Sequence, residues 1–130
     1  MSPPKHAGLR HVALYVESVP RAADFYVGLL GFEVEWHPDP DNLYLCSGAD
    51  NLALHKGEPG RALEGGRLDH IGIILRQAED VDAWHEHLVA AGVEIVAQPK
   101  THRDGARSFY CKDPDGTVVQ LIHHPPIADA

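Results

Sequence analysis

Two nearly repeated apolar segments each carry a histidine at the third position. Residues 9–16 read LRHVALYV and residues 68–75 read LDHIGIIL, so Leu9, His11, Ala13 and Tyr15 fall on Leu68, His70, Gly72 and Ile74. Later segments align too. Tyr44-Leu45-Cys46 falls on Phe109-Tyr110-Cys111, and the same step carries His55 onto Gln120 and Asn51 onto Gly116. The repeat thus singles out two polar pairs, His11 with His70 and His55 with Gln120. Imidazole suits zinc, nickel, copper and iron(II). A Gln carbonyl oxygen is a weaker, neutral ligand. Together the four are expected to hold a divalent cation and to leave one or two positions for water or substrate.

Such donors must be positioned by elements that repeat as well. In a strand, alternate residues share a face, so each apolar segment presents its histidine on one side. After the strand at 9–16, Ser18 and Pro20 read as a helix start. Ala22, Phe25, Tyr26, Leu29 and Leu30 follow at helical spacing, with Gly31 as the stop. Strands are expected at 32–36, 43–46 and 52–55, with Pro38 and Pro40 marking a loop. Residues 57–67 (GEPGRALEGGR) read as a linker. The order then recurs: a strand at 68–75, a helix at about 78–91 ended by Gly92, a strand at 93–97, a loop at 98–106, and strands at 108–111 and 117–122. An Asp-Pro-Asp-Gly turn at 113–116 joins the last two. The tail HHPPIADA is expected to fray. The result is a single domain over 1–130, made of modules 9–56 and 68–123, each β-α-β-β-β. In a curled sheet of this kind the first and fourth strands lie close, so their inward side chains converge.

Composition narrows the partners. The chain has 130 residues, a formal net charge of −8 and 44% hydrophobic residues, which suits one ordinary globular domain. The acidic balance argues against nucleic acid and anionic membranes. No apolar run approaches the roughly 20 residues of a membrane-spanning helix, and MSPPKHAGLR has no apolar core of a secretory signal. Two cysteines without such a signal point to a reducing cytoplasm rather than a disulfide framework. Cys46 and Cys111, related by the repeat, read as small hydrophobes in a packed sheet. His85 and His87 read as the wet face of the second helix. His37 and His102 fall in loops, His102 near a possible site mouth, and His123 and His124 lie near the chain end.

LRHVALYV, DFYVGLLGFEV at 24–34, LDHIGIIL and RSFYCKDPDGTVVQLI at 107–122 together resemble the vicinal oxygen chelate superfamily. Glyoxalase, extradiol dioxygenases, methylmalonyl-CoA epimerase, fosfomycin-resistance thiol transferases and bleomycin-binding proteins belong to it. The resemblance covers residues 9–123. It implies an α+β fold in which two tandem β-α-β-β-β modules form a curved mixed-sheet cup around a metal, and a homodimer that often completes the cup. It implies His11 and His70 as metal ligands, with His55 where glyoxalase-like members supply a second-site Glu or Gln. Ser108, Tyr110 and Lys100 match substrate-facing positions of the fosfomycin-resistance branch, although that branch's C-terminal Arg is missing. Tyr110, Arg107 and Lys100 are the candidates for binding an anionic or phenolic substrate group. The departure is Gln120: most metal-using members have Glu there, as ligand and in glyoxalases as base. An amide cannot serve as that base.

Two functions follow from this pattern. One is a metal-dependent enzyme of the glyoxalase/dioxygenase type, using Zn, Ni, Fe(II) or Mn to chelate neighbouring oxygens of a small substrate. The other is a metal-free small-molecule binding protein of the bleomycin-resistance type, in which the four polar residues bind ligand by hydrogen bonding.

Overall fold

The computed structural model describes residues 2–57, 66–112, 114 and 116–129. The chain divides into two compact units, one of His11–Asp69 and one of residues 1–10 with His70–Ala130. The first module comprises β1 (Gly8–Val16), a short helix α1 (Val19–Ala23) running into a π-helical turn (Asp24–Leu29), β2 (Glu33–Asp39), β3 (Asn42–Cys46) and β4 (Asn51–Lys56). The second comprises β5 (Leu68–Ile74), α2 (Ala78–Ala90), β6 (Ile95–Thr101), β7 (Arg107–Lys112) and β8 (Val118–His123), followed by a 3₁₀ turn at Pro125–Ile127. The β-α-β-β-β order read from the repeat is therefore present twice.

The two modules also pair their strands alike. The first has the order β2-β3-β4-β1, the second β6-β7-β8-β5. In each, the first strand lies parallel to the fourth and the other neighbours are antiparallel. Parallel pairing needs a crossover, and the helix between the first two strands begins it.

Alternation then sorts each sheet into two faces. In the first module Leu14, Leu43, Leu45, Leu52 and Leu54 pack with Val19, Tyr26, Val27 and Phe32 of the helical segment and its exit. In the second, Ile73, Phe109, Cys111, Val119 and Leu121 pack with Val81, Trp84 and Leu88 of α2. Burial of these side chains is the main stabilising term, at about 1.5–3 kcal/mol for each large one. The opposite face of each sheet carries the polar residues singled out by the repeat.

Local chemistry explains the helix ends. The Ser18 hydroxyl accepts from the Arg21 amide at 3.3 Å with Pro20 in the first turn. Gln77 and Asp80 form a reciprocal capping box on α2. Gly31 (φ 78°) and Gly92 (φ 80°) provide the left-handed stops.

Four features differ from the sequence-based expectation. The first helix widens: the Leu30 amide reaches back to Phe25 O at 3.0 Å, a π-type bond. The wider turn breaks the apolar stripe, so Tyr26 is packed in the core while Phe25, Leu29 and Leu30 are exposed. Next, β2 and β6 run through Pro38 and Pro99, where loops were expected. Each is the outer strand of its module with a register shift, so a missing N–H costs little. Third, the tail does not fray. Ile127 packs with Ile74, Ala106, Ile122 and Ala7, and Arg76 Nη1 donates to Ala128 O at 3.3 Å. Finally, His85 does not sit on a wet face: it packs edge-on against Phe109. His87 likewise meets Trp84. Most of the 57–67 linker, and Asp113 and Asp115 of the 113–116 turn, lie outside the described residues. Among the described residues no helix is long and apolar enough to cross a membrane.

Candidate functional site

The first module contributes a polar and aromatic face. His11, Ala13 and Tyr15 on β1 stand opposite Asn51, Ala53 and His55 on β4, and β3 sets Asn42 opposite His55 and Tyr44 opposite Ala53. His11 is 5% exposed. Its Nδ1 lies 2.7 Å from Asn51 Oδ1, and Asn51 Nδ2 donates to Glu35 Oε2 at 3.1 Å. His55 is held similarly. Its Nδ1 lies 2.6 Å from Asn42 Oδ1, and Asn42 Nδ2 donates to both Asp39 carboxylate oxygens at 2.9 and 3.1 Å. Trp36 stacks on Tyr44 at 5.2 Å between centroids, and Tyr44 and Tyr15 both approach the His55 ring. Cys46 ends β3 opposite Glu33. Burial, reinforced by Glu35, Glu33 and Asp50, pushes its thiol pKa up, so it stays protonated.

The second module contributes a chain of hydrogen bonds. Gln120 on β8 stands opposite Gly72 on β5 and Tyr110 on β7. Its Nε2 donates to Ser108 Oγ at 2.8 Å and to Tyr110 Oη at 3.0 Å. Ser108 Oγ lies 2.8 Å from His102 Nε2. His70, 6% exposed, meets the Tyr110 ring edge-on at 5.2 Å between centroids. Gln120 is 4% exposed, and its carbonyl oxygen has no hydrogen-bond partner among the described residues. Burial, aided by Lys100 and opposed by Asp104, holds the His102 pKa below the usual imidazole value and keeps the ring neutral.

The structure therefore gathers His70, Tyr110 and Gln120 in one module and His11 and His55 in the other. Lys100 pairs in register with Ser108 but is exposed. Arg107 does not join Tyr110. It precedes Ser108 by one residue, and strand alternation turns it to the helix side. There it makes a bidentate pair with Asp82 of α2, at 2.8 and 3.2 Å. That bond draws the Asp82 carboxyl below its ordinary pKa. The sequence reading missed Asn42, Asn51, Glu35 and Asp39. The repeat hides the two amides, because its alignment of the later segments is out of register: the structure sets Ala53, not His55, where Gln120 stands, and Ser108, not Arg107, where Asn42 stands. Only the cross-strand register reveals them.

Whether these residues suit a divalent cation is decided by donor chemistry. A buried carbonyl oxygen lacking a donor is costly unless something electropositive meets it. Imidazoles with one ring nitrogen already engaged are the usual form of metal-binding His. The Gln120 oxygen of the second module and the His11 and His55 rings of the first are each donors that suit a divalent cation. Among the described residues no three His, Cys, Asp or Glu side chains form a cluster that could hold a metal; the candidate set relies on an amide oxygen as well. The first module also has clefts of about 690 and 430 Å³, one around Val19, Val34 and Leu43 and one around Tyr15, Arg21 and Arg67. Neither is lined by His11 or His55.

Comparison with known proteins agrees with this organisation. The model of the Glyoxalase/Bleomycin resistance protein/Dioxygenase superfamily matches residues 8–121. No curated protein matches at a significant level. Among solved structures, homoprotocatechuate 2,3-dioxygenase from Brevibacterium fuscum superposes with a TM-score of 0.75 at 22% identity, over 94% of this chain and 33% of the dioxygenase. The chain thus spans about a third of that enzyme. A hypothetical protein, BH1468 from Bacillus halodurans C-125, gives 0.65 at 20% identity, over 89% of this chain and 93% of its own. A Legionella pneumophila protein described as an NAD-dependent benzaldehyde dehydrogenase gives 0.63 at 19% identity, over 87% and 96%. At these identities the likeness is one of fold.

Proposed function

Because the chain belongs to the Glyoxalase/Bleomycin resistance protein/Dioxygenase superfamily, we propose that it is a divalent-metal-dependent enzyme of the glyoxalase/dioxygenase type that chelates a small oxygenated substrate. The observation that carries this reading is the buried Gln120 carbonyl oxygen, left without a hydrogen-bond partner among the described residues on the sheet face that also bears His70. His70 and Gln120, on one face of the second module, are proposed ligands there, and His11 and His55 are the proposed donors of the first. Zinc, nickel, iron(II) and manganese are the candidate ions, and imidazole-rich donors favour the first three. The bound ion would act as a Lewis acid toward neighbouring substrate oxygens.

The protein's own groups do the rest. Tyr110 Oη is tied to the Gln120 amide and orients a phenolic or anionic oxygen by hydrogen bonding. Lys100 supplies a positive charge near Ser108. Gln120 takes no proton, so a base, if the reaction needs one, is another group. Arg107 is engaged with Asp82 and is not proposed to touch substrate. On this reading the protein works in the cytoplasm as a homodimer, and exposed Phe25, Leu29 and Leu30 offer apolar surface for association.

Elemental analysis of the purified protein, grown with metals supplied, tests the proposal. About one divalent ion per chain is expected, and His70→Ala should lose it. A wild-type protein without stoichiometric metal would sink the proposal.

A specific observation favours the second reading, a metal-free binding protein of the bleomycin-resistance kind. Ser108 and Tyr110 are hydroxyls that can donate as well as accept. The same pocket therefore accommodates the Gln120 amide turned over, its NH₂ offered to a neutral ligand. Trp36, stacked on Tyr44, makes fluorescence titration a direct assay. Binding of an aromatic cationic drug that persists after chelation supports this reading over the first.

A further inference from the structure

Two histidines of the first module, His11 and His55, are held by the same device, built from different strands. In each, an Asn oxygen faces the Nδ1 of the ring, at 2.7 Å for His11 and 2.6 Å for His55. In each, the amide NH₂ of that Asn donates to a carboxylate, Glu35 for Asn51 and Asp39 for Asn42. An ionised carboxylate only accepts hydrogen bonds. The amide therefore cannot turn over without setting its oxygen against the carboxylate. Its orientation is fixed from behind, and an oxygen, not an N–H, faces the imidazole.

We infer that Glu35–Asn51 and Asp39–Asn42 are two positioning relays that lock His11 and His55 in the Nδ1–H tautomer, with Nε2 as the lone-pair nitrogen. The acceptor oxygen at Nδ1 requires that this nitrogen carry the hydrogen. Asn51 is 5% exposed, so the bond to His11 is shielded from competing water. The cross-strand pairs His11↔Asn51 and Asn42↔His55 place each relay in register, so the sheet itself sets ring and amide side by side.

The device is specific to one module. In the second, by cross-strand register, Ser108 stands where Asn42 does and Val118 falls where Asn51 does, and neither presents a side-chain amide oxygen. Its polar face is organised instead around Gln120, Ser108 and Tyr110. The chain thus divides the labour: one module presents rings of fixed tautomer, the other a buried amide. A ring already oriented, with its lone pair assigned, binds a cation without first losing that freedom. The purpose of the relays rests on the metal-site reading. The tautomer assignment does not.

NMR of the metal-free protein labelled with ¹⁵N-histidine tests the tautomers directly, at alkaline pH where imidazole is neutral. Long-range ¹H–¹⁵N correlations should show Nδ1–H at His11 and His55. Asn51→Leu should return His11 toward Nε2–H and leave His55 unchanged, and Asn42→Leu should do the reverse. The untouched histidine reports that the fold is intact. Asn51→Asp, which keeps an acceptor oxygen, should keep the Nδ1–H form. Zinc titration of the same proteins should show each Leu variant weakened by about 10–100-fold. An Nε2–H ring in the native protein, or a tautomer indifferent to Asn51→Leu, would overturn the inference. Zinc affinity unchanged in variants whose tautomer has shifted would overturn the positioning role. If the native protein binds no zinc, the metal reading fails while the tautomers still decide the relays.

Discussion

A carboxylate at position 120 would hold a divalent cation more tightly than the amide that stands there, and would add a base. Gln120→Glu is therefore expected to raise metal affinity by about tenfold, the equivalent of roughly 1.4 kcal/mol, as read by competition with a chromogenic chelator. Ser108 and Tyr110 would then donate to the new carboxylate where they now accept from Nε2. Arg107 makes the opposite kind of prediction. Arg107→Ala should leave metal binding unchanged and cost at most about 1 kcal/mol, because its pair with Asp82 is partly solvent-exposed. The Asp82 pKa is lowered on folding, chiefly by its hydrogen bond from Arg107. The stability this confers is present above the carboxylate's unfolded pKa and is lost as pH falls through the folded one. The variant should therefore lose less stability than the native protein between about pH 5 and pH 2, measured by urea unfolding. At this scale the repeat made His11 and His70 legible as matching positions of β1 and β5, but it paired Gln120 with His55 where the register pairs it with Ala53. It could not show Asn51 and Asn42, because the second module has no side-chain amide at the matching positions. Arg107 was misread although alternation with Ser108 and Tyr110 already placed it on the other face.

The elements follow the sequence where local chemistry is strong and depart from it where tertiary context wins. Gly31 and Gly92 were readable as helix stops, because only a residue without a Cβ adopts their positive φ cheaply. Nothing lies within 4 Å of a Cβ built on Gly92, so the penalty for Gly92→Ala is one of backbone alone. It should be about 1–2 kcal/mol, read as a shift of the urea midpoint at constant slope. The π-helical widening after Ala23 was not readable, because Phe25, Leu29 and Leu30 keep helical spacing in the sequence whether or not they are packed. Pro38 and Pro99 looked like strand breakers. They are tolerated because β2 and β6 are outer strands, a fact of sheet order rather than of local sequence. The tail looked disposable from composition, yet Ile127 is buried beside Ile74 and Ile122.

For the whole molecule, the duplicated module is the fact from which the rest follows. One β-α-β-β-β plan, used twice, puts a histidine on each first strand and a polar side chain on each fourth. The proposed homodimer predicts twice the chain mass in sedimentation at micromolar concentration, and Leu29→Lys should shift the population toward monomer; a wild-type monomer would remove that part of the proposal. The central claim is that the duplicated polar positions serve a metal. X-ray absorption of the zinc-loaded protein tests it most directly, because imidazole scattering counts histidine ligands. At least two imidazoles with oxygen completing the shell are predicted, and His70→Ala should remove one. A zinc environment without imidazole, or one unchanged by His70→Ala, would contradict it.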